Sequence, residues 1–393
     1  MNGFSQGQRR LAVWLSSGAL AMALTGDQLL YVVLPLAADS FGVSLIWVGI
    51  LLSANRWIRV ALYSEVARFG NRFGPRHLTV LASLGAVVST AAYGLLDGGP
   101  LLLVARIVWG LSFAALNLTT LVYAIAGNEG SGRMVGTSRA IREVGPIIAA
   151  ASGAWLATTL GPREAFWAMT ALTVLAVPMA WALPRQPAGD APPATPRRFR
   201  LNRPSTFNLF SFAVGLAGDG IFMVTIGLLF LQEVSAQMAM LSAGGVMALR
   251  HLVVLIVSPV GGWLADRFGA QRTMLGSALA MTAGFALVPF DLVYVAAVFM
   301  LVGRGILAVV SPLIVARGAE NVMNAVSANA TWADLGAAVG PLLAGFSVGL
   351  VSLNVLYGGA AMLLFVLLMA WTMFEGKSAP ITEIDDRHER LEG

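Results

Sequence analysis

The feature that most restricts this chain is the recurrence of long apolar runs. Reading from one polar break to the next gives spans near 11–38, 43–66, 77–96, 99–126, 134–160, 163–183, 206–232, 238–265, 272–290, 292–316, 325–350 and 353–374. A helix rises about 1.5 Å per residue, so about 20 apolar residues cross the roughly 30 Å of bilayer hydrocarbon. Composition agrees, with 57% of the residues hydrophobic and 11% charged. A soluble domain needs about 25% charged residues to cover its surface. The expected fold class is therefore all-α and membrane-embedded, with twelve transmembrane helices and the lipid bilayer as its surroundings.

Twelve is an even number, so both termini are expected on one face. Arg9, Arg10, Arg68, Arg72, Arg76, Arg133, Arg267, Arg272 and Arg317 fall in breaks on that face, and the opposite breaks hold Asp39, Asp97, Glu233 and Asp291 with Arg163. Cytoplasmic loops concentrate arginine and lysine, which puts both termini in the cytoplasm of a bacterial inner membrane. The basic residues mark topology, not a nucleic-acid surface. The expected organisation is a six-helix bundle over 1–183, a Pro- and Arg-rich cytoplasmic linker over 184–205, a second bundle over 206–374, and a polar cytoplasmic tail over 375–393. Cysteine is absent, so disulfides and thiolate metal sites are excluded and no metal site is expected.

Unusual residues recur about 195 positions apart. Gly26-Asp27 returns as Gly218-Asp219, Arg56 as Arg250, Asn71-Arg72-Phe73-Gly74 as Asp266-Arg267-Phe268-Gly269, Arg106 as Arg304, and Gly145-Pro146 as Gly340-Pro341. Five pairs in one order imply a duplicated six-helix unit, with a ligand site near the bilayer midplane between the halves.

Several of these segments carry a resemblance. Gly262-Trp263-Leu264-Ala265-Asp266-Arg267-Phe268-Gly269 resembles the cytoplasmic-loop signature of the major facilitator superfamily, and Arg106-Ile107-Val108-Trp109-Gly110 resembles its fourth-helix arginine motif. Gly145-Pro146 and Gly340-Pro341 resemble the Gly-Pro element of its antiporters, and Asp27 followed by Leu34-Pro35 resembles the first helix of its drug and metabolite exporters. The first-half loop departs from the pattern, with Asn71 where the family has aspartate. The resemblance implies a secondary transporter that rocks two bundles about a central cavity, driven by a proton gradient with no other cofactor, exporting a small organic metabolite or drug, and working as a monomer. The residues themselves leave an uptake symporter for a sugar or organic acid, a lipid flippase, and a transporter-like sensor open as alternatives.

Charge inside hydrocarbon costs several kcal/mol, so each ionisable residue within a span is a functional candidate. Asp27 and Asp219 are the expected proton sites, with Arg106 as partner to Asp27; a static pair joining the first and fourth spans is the plainer reading. Arg56, Arg106, Arg250 and Arg304 are expected in the cavity. Guanidinium groups there favour an anionic or zwitterionic substrate. Tyr31, Trp57, Trp109, Phe222 and Trp332 are the aromatic candidates for stacking on it, lipid or helix packing being the alternative. By family analogy, Asp266 and Arg267, with Gly262 and Gly269, form a cytoplasmic gate against the start of the fifth span, where Arg139 and Arg142 lie. A mirror latch is expected from Arg72 or Arg68, beside Asn71 and Gly74, to Asp334. The two Gly-Pro elements are expected to kink the fifth and eleventh helices where these pack against the eighth and second. Lys377 is the only lysine, and the residues before it do not make a phosphate-binding loop. That argues against ATP hydrolysis and against any enzymatic role.

Overall fold

A computed structural model describes residues 6–34, 37–125, 130–185, 204–233, 236–347 and 350–374. Every regular element among them is helical. We number the rods α1 (Gln6–Val33), α2 (Leu45–Phe73), α3 (Pro75–Leu95), α4 (Gly99–Ile125), α5 (Ser131–Thr159) and α6 (Glu164–Val174, running on into Ala176–Trp181). The second half holds α7 (Thr206–Val214, then a π-helical segment Gly215–Ile221, then Phe222–Glu233), α8 (Ala236–Phe268), α9 (Ala270–Leu287), α10 (Val293–Ala316), α11 (Val322–Ser347) and α12 (Leu353–Phe374). Most of the expected linker and the whole tail lie outside the described residues, as does Pro35.

Eight helices among the described residues are long and apolar enough to cross a membrane by length and composition, and they belong to α3, α4, α6, α7, α8, α9, α10 and α12. The four that fall short are α1, α2, α5 and α11. The reason is visible in their sequences: α2 carries Arg56, Arg59 and Glu65, α5 carries Arg139, Arg142 and Glu143, α11 carries Asn329 and Asp334, and α1 carries Asp27. Three of these four form the surfaces on which the halves meet, so their polarity reflects packing against protein and not against lipid.

The halves join along two seams, α5 against α8 and α2 against α11. Both pairs run antiparallel and share one register. On the first seam Gly132 meets Gly262, Gly136 meets Ser258, and Glu143 meets His251. On the second, Asn71 meets Asn324, Arg59 meets Asp334, and Arg56 meets Ala337. A Cβ on Gly132 would overlap the Gly262 carbonyl, and one on Gly136 would overlap the Ser258 carbonyl. Small residues at this spacing let two backbones touch where no hydrophobic force drives helices together.

The Gly-Pro elements sit elsewhere than expected. Gly145 faces α1, where a Cβ would strike the Ala21 carbonyl, and Gly340 faces α7, where it would strike the Leu216 carbonyl. They close each half internally; the close approach on the α5–α8 seam is made by Gly132, Gly136 and Gly262. Both helices continue through their prolines. The repeat extends to the turns: Gly74 and Gly269 end α2 and α8 with φ of 86° and 87°, a region where a Cβ is strained.

Candidate functional site

A cavity of about 250 Å³ lies between the halves, walled by α2, α4 and α5 on one side and by α7, α8, α10 and α11 on the other. Six arginines reach it, Arg56, Arg59, Arg139, Arg142, Arg250 and Arg304, against three carboxylates, Glu143, Asp219 and Asp334. Phe222 lines it too. Tyr31, Trp57, Arg106, Trp109 and Trp332 do not. Trp109 is 1% exposed and packed inside the first half, so it cannot stack on a ligand in this conformation.

The charged residues fall into four groups. The first belongs to the second half. Asp219 sits on the π-helical segment of α7, where Arg304 donates from Nη2 at 2.5 Å and from Nε at 3.2 Å to its Oδ2. Arg250 Nη2 stands 3.6 Å from Oδ1. One extra residue per turn widens a helix locally, and such segments recur at functional sites. All three side chains border the cavity.

The second group is the repeat mate of the first, and it lies outside the cavity. Arg106 is 0% exposed. It donates from Nη1 to Asp27 at 2.5 Å and from Nε to the Leu51 carbonyl at 2.8 Å, and its guanidinium carbon stands 5.7 Å from the centre of the Tyr31 ring. Tyr31 itself donates to the Leu52 carbonyl. Asp27 and Arg106 thereby tie α1, α2 and α4 together.

The third group is the α2–α11 seam. Arg59 grips Asp334 with two parallel bonds of 2.8 and 2.9 Å, and Tyr63 donates a third at 2.8 Å. Arg59 also reaches Asn55 and stacks 4.5 Å from the centre of the Phe113 ring. Three donors on one carboxylate make a strong, oriented contact. One turn further along, Arg56 Nη1 donates to the Ala337 carbonyl at 2.5 Å. That carbonyl is free for a simple reason: Pro341 stands four residues later and has no N–H to give it. The proline of the second Gly-Pro element therefore supplies an acceptor to the opposite half.

The fourth group is the α5–α8 seam. Glu143 is buried and bonds His251 Nδ1 across the seam at 2.7 Å, while Arg142 lies 3.3 Å away on its own helix. Arg142 also reaches Asn117 on α4 at 3.4 Å. Arg139 is different, because its buried Nε has no hydrogen-bond partner among the described residues.

Two sets of contacts join the halves at the arginine-rich end; Asp266 reaches the start of α5, as the resemblance implies, but through the backbone and not through the expected arginines. Asp266 does not hold Arg139 or Arg142. It accepts from the backbone N–H groups of Gly132 and Arg133 at 2.8 and 2.9 Å, capping the start of α5 where unpaired N–H groups favour an anion. Arg139 stands two turns further along, about 10 Å up the helix, which is why it faces the cavity instead. Arg267 stacks on Trp263 within its own helix. On the other seam, Asn71 exchanges amide hydrogen bonds with Asn324 and Asn321 at 2.9 and 3.1 Å. Arg72 lies over Phe73 and Arg68 pairs with Glu65, so neither reaches Asp334. Tyr63 gave no signal in the sequence as a seam residue; Arg59, Glu143 and His251 were visible as charges within spans, but their partners were not.

Comparison with known proteins agrees with this geometry. The major facilitator superfamily model matches residues 17–249 and 208–390. An uncharacterized MFS-type transporter of Mycobacterium tuberculosis, Rv1250, is 27% identical over 164 residues, 41% of this chain and 26% of that protein. The chain thus matches about a quarter of that relative's length. Among solved structures, the human organic anion transporter MFSD10 superposes with a TM-score of 0.77 at 15% identity, over 92% of this chain and 99% of that one. The proton:xylose symporter XylE follows at 0.73 and 11% identity, over 94% and 96%. The E. coli fucose:proton symporter FucP gives 0.69 and 14% identity, over 91% and 97%. At such identities the likeness is one of fold. The profile match across nearly the whole chain carries more, and with it the all-helical, multi-pass transporter architecture is assigned: this chain belongs to the major facilitator superfamily.

Proposed function

We propose that the chain is a proton-coupled secondary transporter of small organic anions, working by alternating access as a monomer in a bacterial inner membrane. The observation that carries this reading is the cavity wall, where six arginines face three carboxylates. Such a surface repels lipophilic cations and attracts carboxylate or phosphate groups, which guanidinium binds in a planar fork. The similarity in fold to a human organic anion transporter is in keeping with it.

The inter-half hydrogen bonds between described residues run from Arg56–Ala337 and Glu143–His251 down to Asn71 and Asp266. If that arginine-rich end is cytoplasmic, the protein is closed inwards and the cavity is served from the opposite side. Transport would then require both latches to part while the other ends close.

Export by proton antiport is the reading that the Gly-Pro elements and Asp27 favour. One observation favours symport instead: Asp219 is held by two arginines of the cavity. A proton taken by Asp219 would free Arg250 and Arg304 for an anion, so proton and anion would bind together. Purified protein in liposomes loaded with organic anions, under an imposed pH gradient, tests both. Flux of the anion along the proton gradient supports symport and flux against it supports antiport. The absence of any gradient-dependent flux across a broad anion panel refutes the proposal.

A further inference from the structure

Arg139 and Asp334 occupy the same place in the repeat. Each stands six residues before the glycine of its Gly-Pro element, on α5 and on α11 respectively. Their surroundings match as well, since α5 packs antiparallel on α8 in the register that α11 keeps on α2. What differs is the chemistry. On the α2–α11 seam Asp334 meets Arg59, which neutralises it. On the α5–α8 seam the carboxylate is replaced by arginine, and the positions that correspond to Arg59 are Val253 and Val254. Duplication has left one guanidinium without its counter-ion.

The structure shows the consequence. Arg139 lines the cavity, and its Nε is buried with no hydrogen-bond partner among the described residues. Arg142 and Arg304, both cations, line the same cavity. Glu143, which could offset them, is already bound to His251 and Arg142. A buried charge with like charges beside it is unfavourable, and a bound ion is one of the explanations for a buried polar group left unpaired in a native structure.

Resting on the reading of the chain as an anion transporter, we propose that Arg139 is the anchor for the substrate's anionic group and that the preferred substrate is a small oxyanion carrying two negative charges. The charge follows from pairing within the wall. Arg59 is matched by Asp334, Arg142 by Glu143, and one of Arg250 and Arg304 by Asp219. Arg139, Arg56 and the remaining arginine of that pair are unmatched, and Arg56 is oriented by the Ala337 carbonyl. A monoanion leaves most of this excess in place, whereas a dianion spans from Arg139 on one half to Arg250 or Arg304 on the other. Dicarboxylates and phosphate monoesters share this chemistry. Bridging the halves is also what a substrate must do to favour their closure around it.

The test uses full-length protein in two formats. In liposomes, uptake of radiolabelled succinate and glycerol phosphate, and of lactate as a monoanion, is measured for wild type, Arg139→Gln, Arg139→Lys and Arg10→Gln, the last altering an exposed arginine remote from the cavity. In detergent, melting temperatures are recorded with and without succinate and inorganic phosphate, with chloride matched for ionic strength. The expected result is that wild type and Arg10→Gln prefer a dianion, Arg139→Gln raises its KM about 10- to 100-fold, and Arg139→Lys lies between. Arg139→Gln should also melt higher than wild type without ligand, because the unmatched charge is gone, and should lose the dianion-induced shift. Preference for succinate over glycerol phosphate, or the reverse, identifies the source of the anionic group. If wild type carries an anion and Arg139→Gln carries it with unchanged KM, the assignment of Arg139 is overturned while the transport reading stands. If lactate is preferred, the divalent specificity is overturned. If wild type moves no anion at all, the reading on which the assignment rests fails with it.

Discussion

The two halves carry the same aspartate–arginine pair on corresponding helices, yet they use it differently. In the first half Arg106 is 0% exposed and spends its donors on Asp27 and a backbone carbonyl, outside the cavity. In the second half the side chains of Arg304 and Arg250 are 29% and 36% exposed, and both border the cavity with Asp219. Duplication supplied two copies of one motif; one now ties helices together, and the other faces the place where a solute would sit. The physical difference lies in α7, where a π-helical segment surrounds Asp219 and a second arginine competes for it. The corresponding stretch of α1 is regular helix, and Arg56, the mate of Arg250, turns to the opposite half instead.

This contrast can be broken or sharpened by mutation. The largest effect is expected at Arg106. Arg106→Ala removes an enclosed side chain and strands Asp27, and losing one partner of a buried pair costs about 3–5 kcal/mol. Yield and melting temperature should collapse, while Arg304→Ala should leave a folded protein, because Asp219 keeps Arg250 and is partly hydrated. Equal loss of stability in both variants would erase the distinction. Next in size, Arg304→Ala should lower kcat/KM for transported anions about 10- to 100-fold with little change in the melting temperature.

Smaller effects should appear at the seams. Asp334→Asn weakens bonds to a charged acceptor worth about 1.5–3 kcal/mol, and Arg59→Gln should do the same. Because the two groups share those bonds, the double variant should be less damaging than the sum of the singles, measured by thermal or chemical unfolding. Additive losses would mean that Arg59 and Asp334 act independently. The smallest effect is expected at Asn71→Ala, about 0.5–1.5 kcal/mol of closed-state preference for the lost amide bonds. It should show as faster labelling of cavity residues from the arginine-rich side more than as lost stability.

The apolar runs and the five repeated pairs made the helical, duplicated architecture legible, because lipid imposes composition and length directly on the chain. The cavity was half legible. Arg56, Phe222, Arg250 and Arg304 border it, and Asp334 was visible as a charge near the seam. Its partner was not, because which of Arg59, Arg68 and Arg72 reaches it depends on the axial register of α2 on α11. Family analogy draws Arg139 and Arg142 towards Asp266, although helical rise alone places Arg139 two turns from the backbone groups that Asp266 binds. The role of Pro341 follows from elementary chemistry, since a proline frees the carbonyl four residues before it. What receives that carbonyl comes only from packing.

If the halves part along both seams at the arginine-rich end during each transport cycle, locking either seam must stop transport. The chain has no cysteine, so pairs introduced there report on themselves alone. Asn71→Cys combined with Asn324→Cys joins α2 to α11 at the hydrogen bond seen here. Oxidised in liposomes, this protein should lose transport and regain it on reduction, while either single variant is unaffected by oxidant. A fully cross-linked protein that transports at the uncross-linked rate would show that this seam does not open during transport.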